Sequence, residues 1–287
     1  EGIKLNNKNN KISIFVLNGI QNYDLKLFTK YKLIPIINTT AELKKIIKTN
    51  ISFGIHIDTG INRLGICYKE FSTFNFKSNN IKIVISHLAS ADERQNKFNK
   101  VQNKRYLNII NKFNIENVFF SLANTNGSVL SKKYLYNIIR PGIGLYGGNN
   151  KNQLLKKKLK PVLRFSGKII QIKNIYKNEF IGYNQTYKTK KKIKVAIIGT
   201  GYADGIPRNL SNKGRVYYKN EKYKIIGRVS MDSITINISN SRHNLKVGFY
   251  IDFINNKYDI ENFAVQCNTI SNEIITSIGA RVKRIYE

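Results

Sequence analysis

Loops that pair glycine with charged or hydroxyl-bearing side chains are where this chain can do chemistry. The first is His56-Ile57-Asp58-Thr59-Gly60-Ile61-Asn62-Arg63-Leu64-Gly65. It reads either as a tight turn with a surface arginine or as a carboxylate anchor, because a guanidinium offers a fixed bidentate fork. Ser86-His87-Leu88-Ala89-Ser90-Ala91-Asp92-Glu93 and Ser121-Leu122-Ala123-Asn124-Thr125-Asn126-Gly127 follow apolar runs. Small hydroxyl and amide residues are ordinary turn formers, and a histidine at a strand end is commonly a satisfied structural group. The functional alternative has His87 supporting the ring of a bound cofactor, with Asn124 and Thr125 near its phosphate. In Arg140-Pro141-Gly142-Ile143-Gly144, glycines let backbone N–H groups approach a phosphate. Tyr183 and Tyr202 each follow a glycine in loop-like settings, so at least one can present its phenol to a site, and Gly227-Arg228-Val229-Ser230-Met231-Asp232 comes later.

The elements that must position these loops fall into two textures. Short β-branched runs at Ile12–Leu17, Leu33–Ile37, Ile51–Ile57, Ile81–Ile85, Val118–Leu122 and Ile138–Leu145 alternate with polar, partly helix-patterned stretches. That pattern predicts βα units around a parallel sheet, whose strand ends carry the loops above. The opening stretch Glu1 to Lys11 reads as a charged loop. Between Ser90 and Ile115, Phe98, Val101, Tyr106, Ile109, Ile110 and Phe113 fall near helical spacing, with Asp92 and Glu93 suited to the helix's positive end. Beyond about residue 160 the runs Val162–Ile170, Ile193–Ile198, Val216–Tyr218, Tyr223–Ile226, Ile234–Ile238 and Phe249–Phe253 are joined by turns rich in Gly, Asn and Lys. This predicts an all-β domain with a single helix at Ile270–Ile278, capped by Ser271 or Asn272 and stopped by Gly279. The expected boundary near Leu159–Val162 gives domains 1–159 and 160–287.

Composition removes several function classes. With 41% hydrophobic residues, 17 Tyr and 15 Phe in 287 residues, the chain can bury a core despite a mean hydropathy of -0.34. No apolar run approaches the roughly 18 residues of a membrane helix, and no signal peptide opens the chain. The net charge of +32 raises nucleic acid as a partner, but the lysines spread from Lys4 to Lys283 with no aromatic-interleaved basic helix. Lys156, Lys157 and Lys158 read as a solvated loop. Cys67 and Cys267 are far apart and fit neither a metal cluster nor a disulfide framework, so a reducing cytoplasm is expected. No nucleic acid, membrane or metal is expected as a partner.

Taken in order, the strings DTGINRLG, SHLASADE, LANTNG, RPGIGLYG, GYADGIPR, GRVSMD and NEIITSIGARVKRIY resemble the alanine racemase family over essentially the whole chain. The resemblance implies a fold-type III pyridoxal-phosphate enzyme with an N-terminal (β/α)8 TIM barrel and a C-terminal β domain. It further implies L- and D-alanine interconversion for peptidoglycan by a homodimer whose sites are shared. By the resemblance, Tyr183 is the base on the L-alanine face, and Arg63 and Met231 contact the substrate carboxylate. Tyr202 lies at the substrate entryway and Asp232 at the mouth. Arg140 meets the pyridine nitrogen, His87 lies near the ring, and Asn124, Thr125, Gly142 and Ile143 neighbour the phosphate. Tyr183 is expected to meet the barrel residues of a partner subunit. Racemisation needs two bases flanking Cα. An arginine at the pyridine nitrogen leaves that nitrogen unprotonated and discourages transamination. A phenol is a weak base at its free pKa of roughly 10, so positive charge must assist it.

Three departures stand out. His56 occupies the position where many members carry a carbamylated lysine that orients the arginine, so Arg63 must be oriented otherwise. Ala280 falls where some members have a tyrosine reaching the phosphate. No KADAYGHG-like string carrying the family's Schiff-base lysine is present. With six strand-like runs where a closed barrel needs eight, the expectation is a partial barrel lacking its first two βα units, and an inactive N-terminal truncation. The alternatives are another fold-III pyridoxal-phosphate racemase or decarboxylase, and a basic nucleic-acid-binding protein.

Overall fold

β-branched side chains crowd the backbone of a helix but pack well on a pleated surface, and the isoleucine-rich runs of the first half build a parallel sheet. The computed structural model describes residues 1–8, 11–20, 24–73, 78–113, 117–149 and 152–286. Two compact units divide the chain, Glu1–Gly142 and Ile143–Glu287.

In the first unit the strands are β1 (Ile14–Val16), β2 (Leu33–Ile37), β3 (Phe53–Asp58), β4 (Ile66–Cys67), β5 (Ile81–Ile85) and β6 (Phe119–Ser121). Their order is β1-β2-β3-β5-β6, all parallel, with β4 pairing β3 off that path. All six residues of β3 are buried, as befits a central parallel strand covered on both faces. The helices are α1 (Gly2–Lys8), α2 (Leu25–Lys30), α3 (Thr40–Ile46), α4 (Tyr68–Thr73) and α5 (Phe98–Ile110). Register sets His56 beside Ile85, and Ile85 beside Ser121. The loops after β3, β5 and β6 therefore emerge at one end of the sheet.

Three expectations for this unit are corrected. The opening stretch is the helix α1, held by Ile3 packing on the core rather than by intrinsic propensity. Ile138–Leu145 is not a strand. It shrinks to one parallel bridge between Asn124 and Arg140, followed by a 3-10 turn at Ile143–Tyr146, because Pro141 has no N–H to extend a ladder. The helix begins at Phe98, so Asp92 and Glu93 precede it. Asn99 Nδ2 instead donates to the Ser90 and Glu93 carbonyls at 2.9 and 3.1 Å. Ile115 lies outside the described residues.

The second unit opens with α6 (Gln153–Lys158), which puts Lys156 to Lys158 on an exposed last helical turn rather than in a loop. There the lysines complement the negative helix end. Next come β7 (Phe165–Ile175), the hairpin β8 (Phe180–Ile181) and β9 (Tyr187–Lys188), β10 (Ile193–Ile198), β11 (Arg215–Tyr218), β12 (Glu221–Ile226), β13 (Ile234–Asn237) and β14 (Tyr250–Ile254). An antiparallel barrel closes in the order β10-β13-β12-β11-β14-β7. Phe165, Ile198, Val216, Ile225 and Phe253 fill it, with the Phe165 and Phe253 rings 5.4 Å apart.

Two helices finish the unit, α7 (Ile260–Gln266) and α8 (Ser271–Ser277). α7 escaped the sequence reading, although its signals are present. Asp259 and Asn262 form a reciprocal capping box, and Ile260, Phe263 and Ala264 bury one face. In α8 the N-cap position is Ile270, without a side-chain cap. Ser271 is buried inside the first turn and Ile278, not Gly279, is the C-cap.

Candidate functional site

Arg140 anchors the first unit's strand ends. Its Nη1 donates to the Ser121 carbonyl at 2.8 Å and to Ser121 Oγ at 2.5 Å, and its Nη2 donates to the Ser86 carbonyl. A planar fork thus clamps the ends of β5 and β6 together. Burial pushes the guanidinium pKa down to about 10, which leaves it charged at neutral pH. Beside it, Asn124 Nδ2 lies 3.3 Å from His87 Nε2, and Asn124 Oδ1 accepts from the Gly127 N–H at 2.9 Å. The amide therefore turns its donor toward the imidazole. Thr125 Oγ1 accepts from the Gly142 N–H at 3.0 Å, tying the two glycine-bearing loops together. A Cβ built on Gly142 would meet nothing within 4 Å, so open space lies beside that backbone.

Asp58 organises the loop that carries Arg63. Oδ1 accepts from the N–H groups of Gly60 and Asn62 at 2.8 and 3.2 Å, and Oδ2 from that of Arg63 at 3.2 Å. Such a carboxylate-centred turn holds the Arg63 backbone while leaving its side chain exposed. Below it, His56 is buried, with Nδ1 3.0 Å from Asn38 Oδ1. Burial first, and then the charge of Arg140, lowers the pKa of both His56 and His87 to about 4. Arg63 contributes to both shifts, so these four groups share one electrostatic neighbourhood.

The two depressed histidines carry a stability prediction. Above the unfolded imidazole pKa of roughly 6.5 both states are neutral and His56 costs nothing. As pH falls from there toward 4, the unfolded chain takes up a proton that the folded ring refuses, and stability is lost by about 3 kcal/mol from His56 alone. An NMR titration is expected to find both imidazoles neutral at pH 5.5. Midpoints near 6.5 would contradict their burial.

Sequence periodicity found Tyr106 and Ile109 but missed the polar part of the helix face that supports this site. The buried side of α5 bears Asn99, Gln102, Asn103, Tyr106 and Ile109. Gln102 Oε1 accepts from the Ala89 N–H at 2.8 Å. Its Nε2 donates to the His87 carbonyl at 2.9 Å and to Thr59 Oγ1 at 3.1 Å. One amide thereby joins the His87 loop to the Arg63 loop. Arg105 Nη1 donates to the Thr59 carbonyl at 2.9 Å, and Tyr106 OH donates to the Val84 carbonyl at 2.6 Å. A hydrophobic pattern cannot report such a face. The spacing 99, 102, 103, 106, 109 was the available signal.

In the second unit Tyr183, Tyr202, Met231 and Asp232 gather at one end of the barrel. Tyr183 starts a 3-10 turn after Gly182, whose φ of 77° is in the left-handed region, and Asn184 and Gln185 follow with φ of 58° and 53°. Two successive non-glycine residues in that region store strain, which functional loops commonly carry. A Cβ on Gly182 would lie 2.9 Å from the Arg228 nitrogen, so this turn leans on the loop after β12. That same loop accepts the Tyr202 N–H at the Ser230 carbonyl and the Ala203 N–H at the Met231 carbonyl, both at 3.0 Å. Tyr183, Tyr202 and Met231 are 67%, 45% and 51% exposed, so all three side chains are open to solvent. Arg281, which the sequence reading passed over, binds Asp204 through Nε at 2.7 Å and Asp232 through Nη2 at 2.6 Å. Hydrogen bonds from Arg281 and from the Gly201 N–H outweigh burial and hold the Asp204 carboxyl below its usual range.

The chain is similar to known proteins along its whole length. The models of the alanine racemase N-terminal domain and C-terminal domain match residues 1–150 and 162–286. An alanine racemase of Rickettsia bellii is 33% identical over 299 aligned positions, which cover 100% of this chain and 72% of that protein. One from Brucella suis is 32% identical over 298 positions, covering 96% of this chain and 75% of the relative. The crystal structure of alanine racemase from Bartonella henselae with covalently bound pyridoxal phosphate superposes with a TM-score of 0.84 at 29% identity, covering 96% of this chain and 79% of that one. The biosynthetic alanine racemase of Pseudomonas aeruginosa, at 22% identity and a TM-score of 0.87, covers 100% of this chain and 82% of its own and shares the fold. With both domain models matched and relatives of this identity along its length, the chain belongs to the alanine racemase family.

Proposed function

We propose that this protein interconverts L- and D-alanine with pyridoxal phosphate. The observation that carries the reading is the half-buried Arg140 fork at the strand ends, beside a neutral His87 and the tied Thr125 and Gly142. This donor set fits the cofactor. A charged donor-only group suits an unprotonated ring nitrogen, a neutral imidazole suits a ring edge, and the open space beside Gly142 leaves room for a phosphate. Arg140, His87, Asn124, Thr125, Gly142 and Ile143 would hold it. When bound, pyridoxal phosphate supplies an electron sink that acidifies the α-hydrogen of an amino acid.

The remaining roles belong to the chain's own groups. Arg63 presents a guanidinium to the substrate carboxylate, which Met231 also contacts. Tyr183 moves the proton on the L-alanine face, Tyr202 lines the entry and Asp232 sits at the mouth, held by Arg281. We further propose a cytoplasmic homodimer in which Tyr183 serves the partner subunit's cofactor. The exposure of Tyr183, Tyr202 and Met231 supports this, as does that of Arg63. Among the described residues no helix is long and apolar enough to cross a membrane. The parallel sheet of the first unit is read as an arc of the eight-stranded barrel, since β1 has no partner on its outer edge among the described residues.

The test separates binding from turnover. The 287-residue chain is expected to bind pyridoxal phosphate, followed by its absorbance. Combined with the N-terminal KADAYGHG-bearing segment of a relative, it is expected to racemise alanine in both directions. Cofactor binding without racemisation in that combined protein overturns the reading.

A further inference from the structure

Burial leaves one ring nitrogen in the candidate site without a partner. His56 shares a face of β3 with Gly54 and Asp58, and its Nδ1 is 3.0 Å from Asn38 Oδ1. The Asn38 amide is oriented by its own Nδ2, which donates to the Leu17 and Ile36 carbonyls at 2.9 and 3.0 Å. Its Oδ1 can only accept, so Nδ1 carries the ring proton. The neutral ring then has a lone pair at Nε2. That atom is buried, and no donor reaches it among the described residues. A buried acceptor left unmatched is costly, which makes it a candidate for a role outside the resting contacts.

Arg63 carries the complementary group. Its backbone is moored to Asp58 and its side chain is exposed. The loop it belongs to closes over the imidazole, since a Cβ on Gly65 would lie 3.1 Å from His56 Cδ2, the carbon bonded to Nε2. We propose that His56 is a positioning residue whose Nε2 accepts an N–H from the Arg63 guanidinium once a carboxylate has bound to that arginine. This rests on the reading of Arg63 as the carboxylate anchor.

Without the anion, drawing a guanidinium down onto a neutral buried ring sacrifices its hydration for one hydrogen bond, and the side chain stays in solvent. With a carboxylate on the fork, the charge is compensated and the arginine is held from both sides. The loop at Gly65 lies against the ring, so the acceptor sits under the same loop that carries the arginine.

Two amide substitutions divide this role from simple support of Asn38. His56→Gln keeps an acceptor near the Nε2 position and gives up the Nδ1 donor. His56→Asn keeps a donor near Nδ1 and gives up the far acceptor. With acetate as the probe and the full chain labelled with 15N, acetate is expected to shift the His56 Nε2 resonance toward that of a hydrogen-bonded acceptor, and Arg63→Ala to abolish the shift. His56→Asn should weaken acetate binding about tenfold, the worth of a hydrogen bond to a charged group, while His56→Gln stays within about twofold. Equal losses in both variants, or no loss in His56→Asn, overturn the proposal while leaving the anchor intact. Acetate binding untouched by Arg63→Ala overturns the anchor and the proposal together. Should His56→Asn fail to fold, the Nε2 shift in the parent chain and its loss in Arg63→Ala decide alone.

Discussion

Tyr183→Phe, in the chain combined with the N-terminal segment of a relative, is expected to lower alanine racemisation by about 10²–10⁴-fold, the usual cost of removing a general base, with pyridoxal phosphate binding unchanged. The substitution deletes one oxygen from a side chain that is 67% exposed, so it disturbs no core packing and leaves the fold's stability within about 0.5 kcal/mol. What it removes is the group that the strained 182–185 turn holds out from the barrel end. Tyr202→Phe is the control. Tyr202 is set by backbone hydrogen bonds to the Ser230–Met231 loop, and its loss is expected to raise KM more than it lowers turnover. Steady-state rates in both directions check this. A large loss from Tyr202→Phe with none from Tyr183→Phe would exchange the two assignments.

Arg140→Ala is expected to weaken pyridoxal phosphate binding by about 10–100-fold, the range for losing a charge-assisted hydrogen bond, and to loosen the strand ends as well. Ser121 Oγ and the Ser86 carbonyl take hydrogen bonds from this fork, while the Ser121 carbonyl also accepts from the Ser86 N–H and the Tyr106 hydroxyl, so its removal costs the strand ends part of their hydrogen bonding. Arg140→Lys separates the two effects. A lysine keeps the positive charge but has no planar fork, and it is expected to recover part of the affinity without restoring the paired contacts. Fluorescence titration with the cofactor, together with denaturant midpoints, measures both. Unchanged cofactor affinity in Arg140→Ala would remove Arg140 from the site.

Much of the scaffold was legible because its signals are periodic. Leu33–Ile37, Ile81–Ile85 and Ile193–Ile198 are strands with the bounds the β-branched runs suggested. Misreadings arose where a single residue overrode a pattern. Pro141 ended a strand-like run at Arg140, and the Asp259 to Asn262 box started a helix in a region that read as all-β.

The amino-acid sequence by itself determined which loops carry the candidate side chains, since glycine, proline and the polar residues around them mark where strands end whatever the packing. Only the tertiary structure decided how those side chains are held. The mooring contacts join Asn38 to His56, Gln102 to Thr59 and Arg281 to Asp204, pairs 18, 43 and 77 residues apart. Hydrogen bonds of this kind leave no periodic trace. They exist because folding excludes water from polar groups that must then find one another, and which partner is near is settled by strand order and register rather than by spacing along the chain.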